Sequence, residues 1–298
     1  MNHPVFKVTL LGTGMPAPNP ARFGPSVLIE AGSQRLLVDA GRGATMRLFQ
    51  LGVPIGSIDF LLLTHFHSDH TVGIPDLWLT GWLGGQFGGR RTPFRVLSPP
   101  GTKTLMVNLE RAYSADVQIR ITDENLPPEG AALEIEEYHR DGLIYENGSL
   151  RVIAFEVDHG DLIKLAYGYR IEYGGCSAVI SGDTRLNENL IAHSMNTDLL
   201  IHEVAMVQPA LMQEQRIRRI VGHHTSRQEA GLVFARAKPR LAVYTHLVLL
   251  GNQNTSPPSL EDLIAETRQT YAGPLQIGED LMSFEIGDEV IVSHLMKV

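Results

Sequence analysis

The sequence of 298 residues contains a single cysteine, Cys176. One cysteine excludes an intrachain disulfide and any metal cluster that is held by several thiolates. Twelve histidines are present instead, and several of them follow apolar segments or stand beside aspartates. If the protein binds a metal ion, imidazole and carboxylate groups must therefore supply the donors.

Long hydrophobic runs are also missing. The longest apolar stretches, such as residues 61–63 and 247–250, are far shorter than the ~20 residues that a transmembrane helix needs. The first seven residues lack the basic stretch followed by an apolar run that is typical of a secretory signal. We therefore expect a cytoplasmic protein with no membrane span.

A basic tract is the third missing feature. The formal net charge is −8, and no long segment is rich in Lys and Arg. Proteins that bind long nucleic acids usually present a basic face, because phosphate contacts supply much of the affinity. A small-molecule substrate is therefore the simpler expectation. Arg216, Arg218 and Arg219 form one local cluster, for which a solvated helix face is the simpler interpretation.

Strand-like and helical segments alternate along the chain in a pattern typical of an α/β fold. Paired strands are expected at residues 26–30 and 35–38, and a largely apolar strand at 58–63. The second half repeats this style from residue 150 onward. We expect one domain, residues 1–298, that folds as a four-layer αββα sandwich.

The middle of the chain, residues 78–148, is less regular and is expected to be a glycine-rich loop region. Within it, the loop 84–91 contains two glycine pairs and has aromatic residues on both sides. Such a loop fits a mobile lid over a site and a plain surface excursion equally well, and the sequence leaves both open.

The run HFHSDH, residues 65–70, follows directly after an apolar strand. In extended backbone, residues i and i+2 point to the same side, so His65 and His67 project together. A helical turn after them would bring Asp69 and His70 toward a second position a few ångströms away. Core packing does not explain this density of polar groups, whereas imidazole and carboxylate suit Zn²⁺ and similar ions. The run therefore predicts a metal site.

This His-x-His-x-Asp-His pattern after a hydrophobic strand resembles the metallo-β-lactamase superfamily, and the likeness extends over nearly the whole chain. The resemblance implies that a histidine, an aspartate and a final histidine, each at a strand end, complete the site. It also implies two divalent metal ions, with Zn²⁺ preferred over Mn²⁺ or Fe²⁺. The implied ligands of one ion are His65, His67 and His159, and those of the other are Asp69, His70 and His246, with Asp183 shared.

Some of these assignments have alternatives. His139 competes with His159, although no strand leads into it. Asp183 fits a helix N-cap as well as a bridging ligand. Asp39, in the segment LVDAG, resembles a family position that supports a metal-bound histidine through a hydrogen bond, and a turn-forming aspartate is the alternative. His202, at the expected end of a strand, is interpreted as lying outside the metal ligands, as is the adjacent Glu203.

The segment GHHTS, residues 222–226, resembles the His-Ser-Thr segment of the ribonuclease Z branch, which contacts the scissile phosphate. Aligning Thr225 and Ser226 with that hydroxyl pair selects His224 rather than His223 as the counterpart. The order Ser-Arg-Gln-Glu that follows has the spacing of a capping box, which would fix the start of a helix and the imidazole before it.

Two features separate the chain from ribonuclease Z in this comparison. Only 23 residues lie between His159 and Asp183, too few for the RNA-gripping arm of those enzymes. The segment after His246 also lacks their aromatic continuation. The sister group of arylsulfatases is the closer resemblance, in segments such as GMPAP, DAGRGA and SGDTR.

The resemblance implies a dinuclear metal-dependent hydrolase of small-molecule esters, namely sulfate or phosphate esters and diesters. A metal-bridging hydroxide would attack, and Asp69 or Asp183 would accept a proton. His224 would stabilise charge on the transferred group or protonate the leaving oxygen. The alternatives are a ribonuclease Z-like RNA phosphodiesterase and a β-lactamase or lactonase. Homodimers are common among the relatives, so a dimer is an expectation from the resemblance alone.

Overall fold

A computed structural model describes residues 6–295. Two β-sheets pack face to face, and helices cover both outer faces. Residues 1–5 and 296–298, at the two ends of the predicted domain, lie outside the described residues.

The strands are β1 (Phe6–Gly12), β2 (Ser26–Ala31), β3 (Gln34–Val38), β4 (Phe60–Leu62), β5 (Phe94–Ser98), β6 (Leu133–Glu137), β7 (Gly142–Asn147), β8 (Leu150–Val157), β9 (Ala166–Tyr173), β10 (Cys176–Ile180), β11 (Leu199–Val207), β12 (Leu241–Leu250), β13 (Leu275–Ile277), β14 (Met282–Ile286) and β15 (Val290–His294). The α-helices are α1 (Ala44–Gln50), α2 (Ser68–Thr71), α3 (Ile74–Trp82), α4 (Thr102–Ala112), α5 (Ser114–Asp123), α6 (Glu188–Ser194), α7 (Gln215–Val221), α8 (Arg227–Ala237) and α9 (Leu260–Thr267). Short 3₁₀ helices lie at Ile55–Ser57, Pro128–Gly130 and Pro209–Gln213.

The first sheet has the strand order β15-β14-β1-β2-β3-β4-β5-β6. Pairing is antiparallel from β15 to β3 and parallel from β3 to β6. Parallel neighbours end at the same edge of a sheet. The residues that follow β3 and β4, among them Asp39 and His65, therefore lie side by side at one edge.

The second sheet has the order β13-β12-β11-β10-β9-β8-β7, with parallel pairing from β10 to β13. Glu203 of β11 pairs with Thr245 of β12, whereas Val204 pairs with Leu247. His246 is therefore the extra residue of a β-bulge, and its φ is 43°. A bulge re-aims the side chain of the extra residue, and this one lies at the same edge as the residues that follow β10.

Apolar side chains from both sheets fill the space between them. In β2, Val27 and Ile29 face the other sheet, whereas Leu28 packs beneath helices on the outer face. On the other side of the molecule, Leu200 of β11 packs beneath Phe234 of α8 in the same way. Burial on both faces explains the nearly continuous apolar strands of the sequence. The predicted four-layer αββα sandwich is confirmed.

The segment 78–148 is mostly regular, so its prediction as a loop region was wrong. It contains β5 to β7, α4 and α5. These two helices lie on the surface: α4 buries only Thr102 and Met106, and α5 buries none of its residues. Leu105, Met106 and Leu109 give α4 an apolar face at helical spacing that packs on the first sheet, whereas α5 contributes only Val117 to this packing. The true loop joins α3 to β5, where the Phe87 carbonyl accepts a hydrogen bond of 2.6 Å from the Ile55 N–H.

No helix in the described part of the chain is long and apolar enough to cross a membrane. The cytoplasmic location, the homodimer and the single domain all stay predictions.

Candidate metal centre

Three imidazole rings meet beyond the end of β4. His65 and His67 follow that strand, and His159 comes from the end of β8 in the other sheet. The Nδ1 atom of His67 lies 3.0 Å from His65 Nε2 and 3.2 Å from His159 Nε2. His139, the rival of His159, is exposed and belongs to none of the clusters of potential metal donors in residues 6–295. The packing of the two sheets therefore selects His159.

A second group of donors lies beside the first. The short helix α2 turns Asp69 and His70 inward, and the bulge in β12 aims His246 at them. The Oδ2 atom of Asp69 is 3.2 Å from His246 Nε2 and 3.6 Å from His70 Nε2. The helical turn that the sequence predicts after His67 is thus present, and it separates the two pairs of donors in the HFHSDH run.

Asp183 lies between the two groups. Its Oδ2 atom is 3.8 Å from His65 Nε2 and 3.4 Å from His70 Nε2. The same oxygen is 3.7 Å from the Nε2 atom of His159 and 3.3 Å from that of His246. An oxygen that faces donors of both groups has the position that a bridging ligand requires.

The donor set fits two divalent ions. Five imidazoles and two carboxylates take part, and the donor atoms of each group lie within 4.8 Å of one another. The His70 Nε2 atom is buried and has no hydrogen-bond partner among residues 6–295. Buried polar atoms are normally partnered, and a cation among converging nitrogens and carboxylates would satisfy this one. The geometry is therefore that of a dinuclear metal site.

Burial and charge together set the protonation of the cluster. Burial lowers the pKa of His65 well below its ordinary value, so this ring is neutral and its nitrogen can bind a cation. Burial also disfavours the charged form of His70, but the carboxylates of Asp183 and Asp39 outweigh it and raise the pKa of His70. Burial likewise raises the pKa of Asp183, but His246 and His70 outweigh it and hold this pKa well below its usual range. The carboxylates of the pocket therefore favour positive charge there.

Asp39 joins the edge of the first sheet to the cluster. Its φ is 59°, and its carboxylate accepts a hydrogen bond of 2.8 Å from the Thr64 N–H. The other carboxylate oxygen lies 2.7 Å from His70 Nδ1. This contact fixes the His70 ring so that Nε2 faces Asp183. The hydrogen bond to a histidine that the resemblance implied for Asp39 is present.

His224 reaches the cluster from the loop before α8. Its Nδ1 atom lies 3.2 Å from Oε1 of Glu203, a buried residue of β11. Burial lowers the pKa of His224, but the Glu203 carboxylate outweighs this effect and the pKa is raised to about 9. At neutral pH the ring is therefore an imidazolium, and it lies beside Asp183 and His246.

Glu203 is the functional residue that sequence reasoning missed, since it received no role beyond lying outside the metal ligands. Its Oε1 atom accepts hydrogen bonds from the N–H groups of Thr184 and Thr225, so one carboxylate connects the segments that carry Asp183 and His224. The signal was a carboxylate in a strand that is apolar apart from the adjacent His202, because a buried charge requires a partner. The neighbouring His202 packs against Phe234 instead.

The structure gives His223 and His224 different positions. The His223 carbonyl lies 2.9 Å from His159 Nδ1, so its backbone orients a donor, whereas the His224 ring faces the cluster. The predicted capping box is confirmed: the Ser226 N–H donates to Glu229 at 2.9 Å, and the Ser226 hydroxyl accepts from the Glu229 N–H. This box fixes the start of α8 immediately after the loop that carries both histidines.

The cluster forms the floor of a cleft of about 410 Å³. The proline-rich loop forms one wall with Met15 and Pro16, and α7 and the end of β12 form the others. No residue of the loop 84–91 lines this cleft in the described part of the chain. The glycine-rich loop is a surface excursion packed on the 3₁₀ turn at Ile55–Ser57, and the structure does not support the lid.

Comparison with known proteins identifies the family. The family model described as "Beta-lactamase superfamily domain" matches residues 34–247. The chain belongs to the metallo-β-lactamase superfamily. The matched stretch runs from β3 into β12, so it contains all seven donors of the cluster. Membership identifies the protein as a metal-dependent hydrolase.

Curated proteins named ribonuclease Z match nearly the whole chain. The chain is 34% identical over 288 residues to a Ribonuclease Z of Mycobacterium marinum, and the match covers 95% of this chain and 99% of that protein. A Ribonuclease Z of Mycolicibacterium gilvum is 34% identical over 291 residues, covering 95% and 96%. The ribonuclease Z-like alternative is therefore better supported than the arylsulfatase-like interpretation, which these relatives do not support.

Solved structures share the fold. The metallo-β-lactamase fold protein YhfI from Bacillus subtilis has a TM-score of 0.70 and 21% identity, covering 95% of this chain and 100% of that one. The short form of human tRNase Z has a TM-score of 0.69 and 20% identity, covering 94% and 99%. At these identities the likeness establishes the fold alone.

Proposed function

We propose that this superfamily hydrolase is a dinuclear metal-dependent phosphodiesterase that cleaves RNA. The observation that carries the proposal is the match to proteins named ribonuclease Z over nearly the full length of both chains. The His224–Glu203 pair beside the donor cluster supports it, because the leaving group of a phosphodiester departs as an alkoxide that needs a proton. Phosphodiester cleavage in RNA thus replaces the small-molecule sulfate or phosphate esters that the sequence favoured.

In the sequence, the short connection between His159 and Asp183 is an argument against an RNA substrate. The length of the alignment with a ribonuclease Z removes this argument. The match to the Mycobacterium marinum relative spans 288 residues, 95% of this chain and 99% of the relative, which leaves room for only a few gap positions. A relative named ribonuclease Z therefore has no long insertion between these positions either.

We assign the seven donors to two ions, for which Zn²⁺ is the proposed metal because imidazole and carboxylate suit it. The first ion would be held by His65, His67 and His159, and the second by Asp69, His70 and His246, with Asp183 between them. Ions held by these residues would supply the Lewis acidity that activates a water molecule and polarises the phosphoryl oxygens.

The remaining steps belong to side chains of this protein. Asp69 or Asp183 accepts the proton of the attacking water as the new P–O bond forms. His224, held protonated by Glu203, stabilises the negative charge of the transferred phosphoryl group. As the P–O bond to the leaving group breaks, His224 donates its proton to the departing oxygen.

A substrate panel tests the proposal. The zinc-replete enzyme should cleave an RNA with a short 3′ extension and bis-p-nitrophenyl phosphate, and it should show little turnover of p-nitrophenyl sulfate, nitrocefin or a homoserine lactone. Cleavage products are followed by gel electrophoresis and absorbance. Turnover confined to the sulfate ester, the lactam or the lactone would overturn the proposal in favour of that ester or amide class.

A further inference from the structure

Arg216 and Arg219 form a pair of cations in the wall of the cleft. Both belong to α7, and both line the cleft together with Ile220 and His223. These four positions have the i, i+3, i+4, i+7 spacing of a single helix face. One face of α7, continued by the turn after it, is therefore presented to the space above the donor cluster.

The other residues of α7 have different partners. Arg218 donates two hydrogen bonds of 2.8 Å, to the carbonyls of Met212 and Gln213. Ile217 is buried with Val207 and Leu211 and anchors the helix. Neither Arg216 nor Arg219 takes part in an ion pair within residues 6–295. Their guanidinium groups thus have no structural task of the kind that Arg218 has.

The net charge of the protein makes the position of Arg216 and Arg219 relevant to the binding of an anionic substrate. The protein has a formal net charge of −8, and the cleft floor contains the carboxylates of Asp69 and Asp183. A polyanion approaches such a protein only where positive charge is concentrated locally. Guanidinium groups also match phosphate, because their planar fork of N–H donors forms two parallel hydrogen bonds.

We propose that Arg216 and Arg219 form a subsite for a second phosphate of the substrate, adjacent along the strand to the phosphate that is cleaved. The inference rests on the proposed function and deepens it, because it defines the substrate class as oligonucleotides with at least two phosphodiester groups. In this arrangement the scissile phosphate lies above the donor cluster. The neighbouring phosphate lies against the face of α7 that contains Arg216 and Arg219. The solvated helix face that the sequence suggested is consistent with the exposure of all three arginines, and the proposal adds a phosphate contact for the two that line the cleft.

Substrates with one and with two phosphodiester groups test the subsite. The zinc-replete wild-type enzyme is compared with the double variant R216Q/R219Q and with R111Q, which removes an exposed charge from α4 on the outer face of the first sheet. The substrates are bis-p-nitrophenyl phosphate and UpU, with one phosphodiester each, and UpUpU with two. Circular dichroism and thermal melting establish that each variant is folded.

The double variant should raise KM for UpUpU about tenfold and leave kcat within twofold. It should cleave the two substrates with one phosphodiester as the wild type does, and R111Q should match the wild type on all three. Loss of one phosphate contact should also reduce the slope of log KM against log salt concentration for UpUpU by about 0.7.

An equal loss on all three substrates would overturn the subsite, because the arginines would then serve the reaction centre or the fold. An unchanged KM for UpUpU would overturn it as well, and would leave the proposed function intact if the wild type cleaves RNA. A wild type that cleaves none of the three substrates would refute the proposed function and the subsite together.

Discussion

Among single residues, His224 differs from the other histidines of the cluster because it is not assigned to an ion. Asp39 orients His70, and a backbone carbonyl orients His159, whereas His224 faces the buried carboxylate of Glu203. A neighbouring carboxylate raises the pKa of a ring, as Asp39 does for His70 and Glu203 does for His224. An ion bound at Nε2 of His70 would displace the proton of that ring, whereas no ion is assigned to His224. The cluster therefore divides into groups suited to holding metal and one group suited to donating a proton.

Replacing His224 by Ala should lower kcat by about 10²–10³-fold, which is the usual effect of removing one acid or one charge-stabilising group. Metal content should stay the same, because the seven proposed ligands are untouched. The matched control is His223→Ala, which keeps the backbone carbonyl that orients His159. Elemental analysis and steady-state kinetics check both points. Normal turnover in H224A, or an equal loss in H223A, would contradict the assigned role.

Replacing Glu203 by Gln should move the alkaline limb of the pH profile of kcat/KM to lower pH. The Glu203 carboxylate raises the pKa of His224 to about 9, so the proton-donating form is present below that pH and is lost above it. Glutamine keeps an oxygen for the N–H groups of Thr184 and Thr225 but carries no charge. The control is Glu214→Gln, an exposed carboxylate before α7. A limb that stays in place in E203Q would show that this carboxylate does not govern the proton donor.

At the scale of secondary-structure elements, β12 shows where sequence patterns stop being informative. The sequence predicts a strand that ends at His246, but β12 continues to Leu250 through a bulge. Residues 247–250 are all apolar, so no alternation reveals that the strand passes His246. The bulge can be located only against the register of β11, which the sequence of β12 does not contain.

The capping box of α8 offers a test at this scale. Glu229→Ala should lower the free energy of unfolding by roughly 0.5–1 kcal/mol and should also reduce kcat, because the box fixes the loop that carries His224. Asp262→Ala is the matched control, since it removes the same position from the capping box of α9. Denaturant unfolding should show a similar loss of unfolding free energy in both variants. Steady-state kinetics should distinguish them, because only Glu229→Ala should lower kcat. Equal kcat values would mean that the start of α8 does not position the proton donor.

For the whole molecule, the donor cluster joins the two sheets. The HFHSDH run follows β4 of the first sheet, whereas His159, Asp183 and His246 come from the second. Ions bound between them would therefore connect the two halves of the sandwich. A ligand that binds only the folded state stabilises it in proportion to the logarithm of its concentration over Kd.

Removing metal with a chelator should therefore lower Tm by several degrees, and adding Zn²⁺ should restore it. Asp183→Ala should reduce both the metal content and the gain in Tm on adding Zn²⁺, because this carboxylate lies between the two groups of nitrogens. Asp161→Asn, an exposed aspartate near His159, is the control. Differential scanning calorimetry with elemental analysis provides the measurement. A Tm that does not respond to metal would argue against ions that join the sheets.

Much of the donor chemistry could be predicted from the sequence. The HFHSDH run carries four donors within six residues, and backbone geometry alone states which of them project together. Alternating apolar segments likewise predicted the sandwich. The capping box was readable because it depends on residues three positions apart. In each case the interacting groups are close along the chain, where the sequence constrains geometry directly.

The sequence by itself therefore determined which donor types are present and the local direction of those in the HFHSDH run. Only the tertiary structure decided that His159 rather than His139 joins His67, that Glu203 faces His224, and that two arginines of α7 line the cleft. Asp69 and His246 are 177 positions apart, and they meet because two sheets pack face to face with their functional edges aligned. The periodicity of the sequence predicts on which face of its own helix or strand a residue lies. The meeting of two elements depends on the packing of every residue between them.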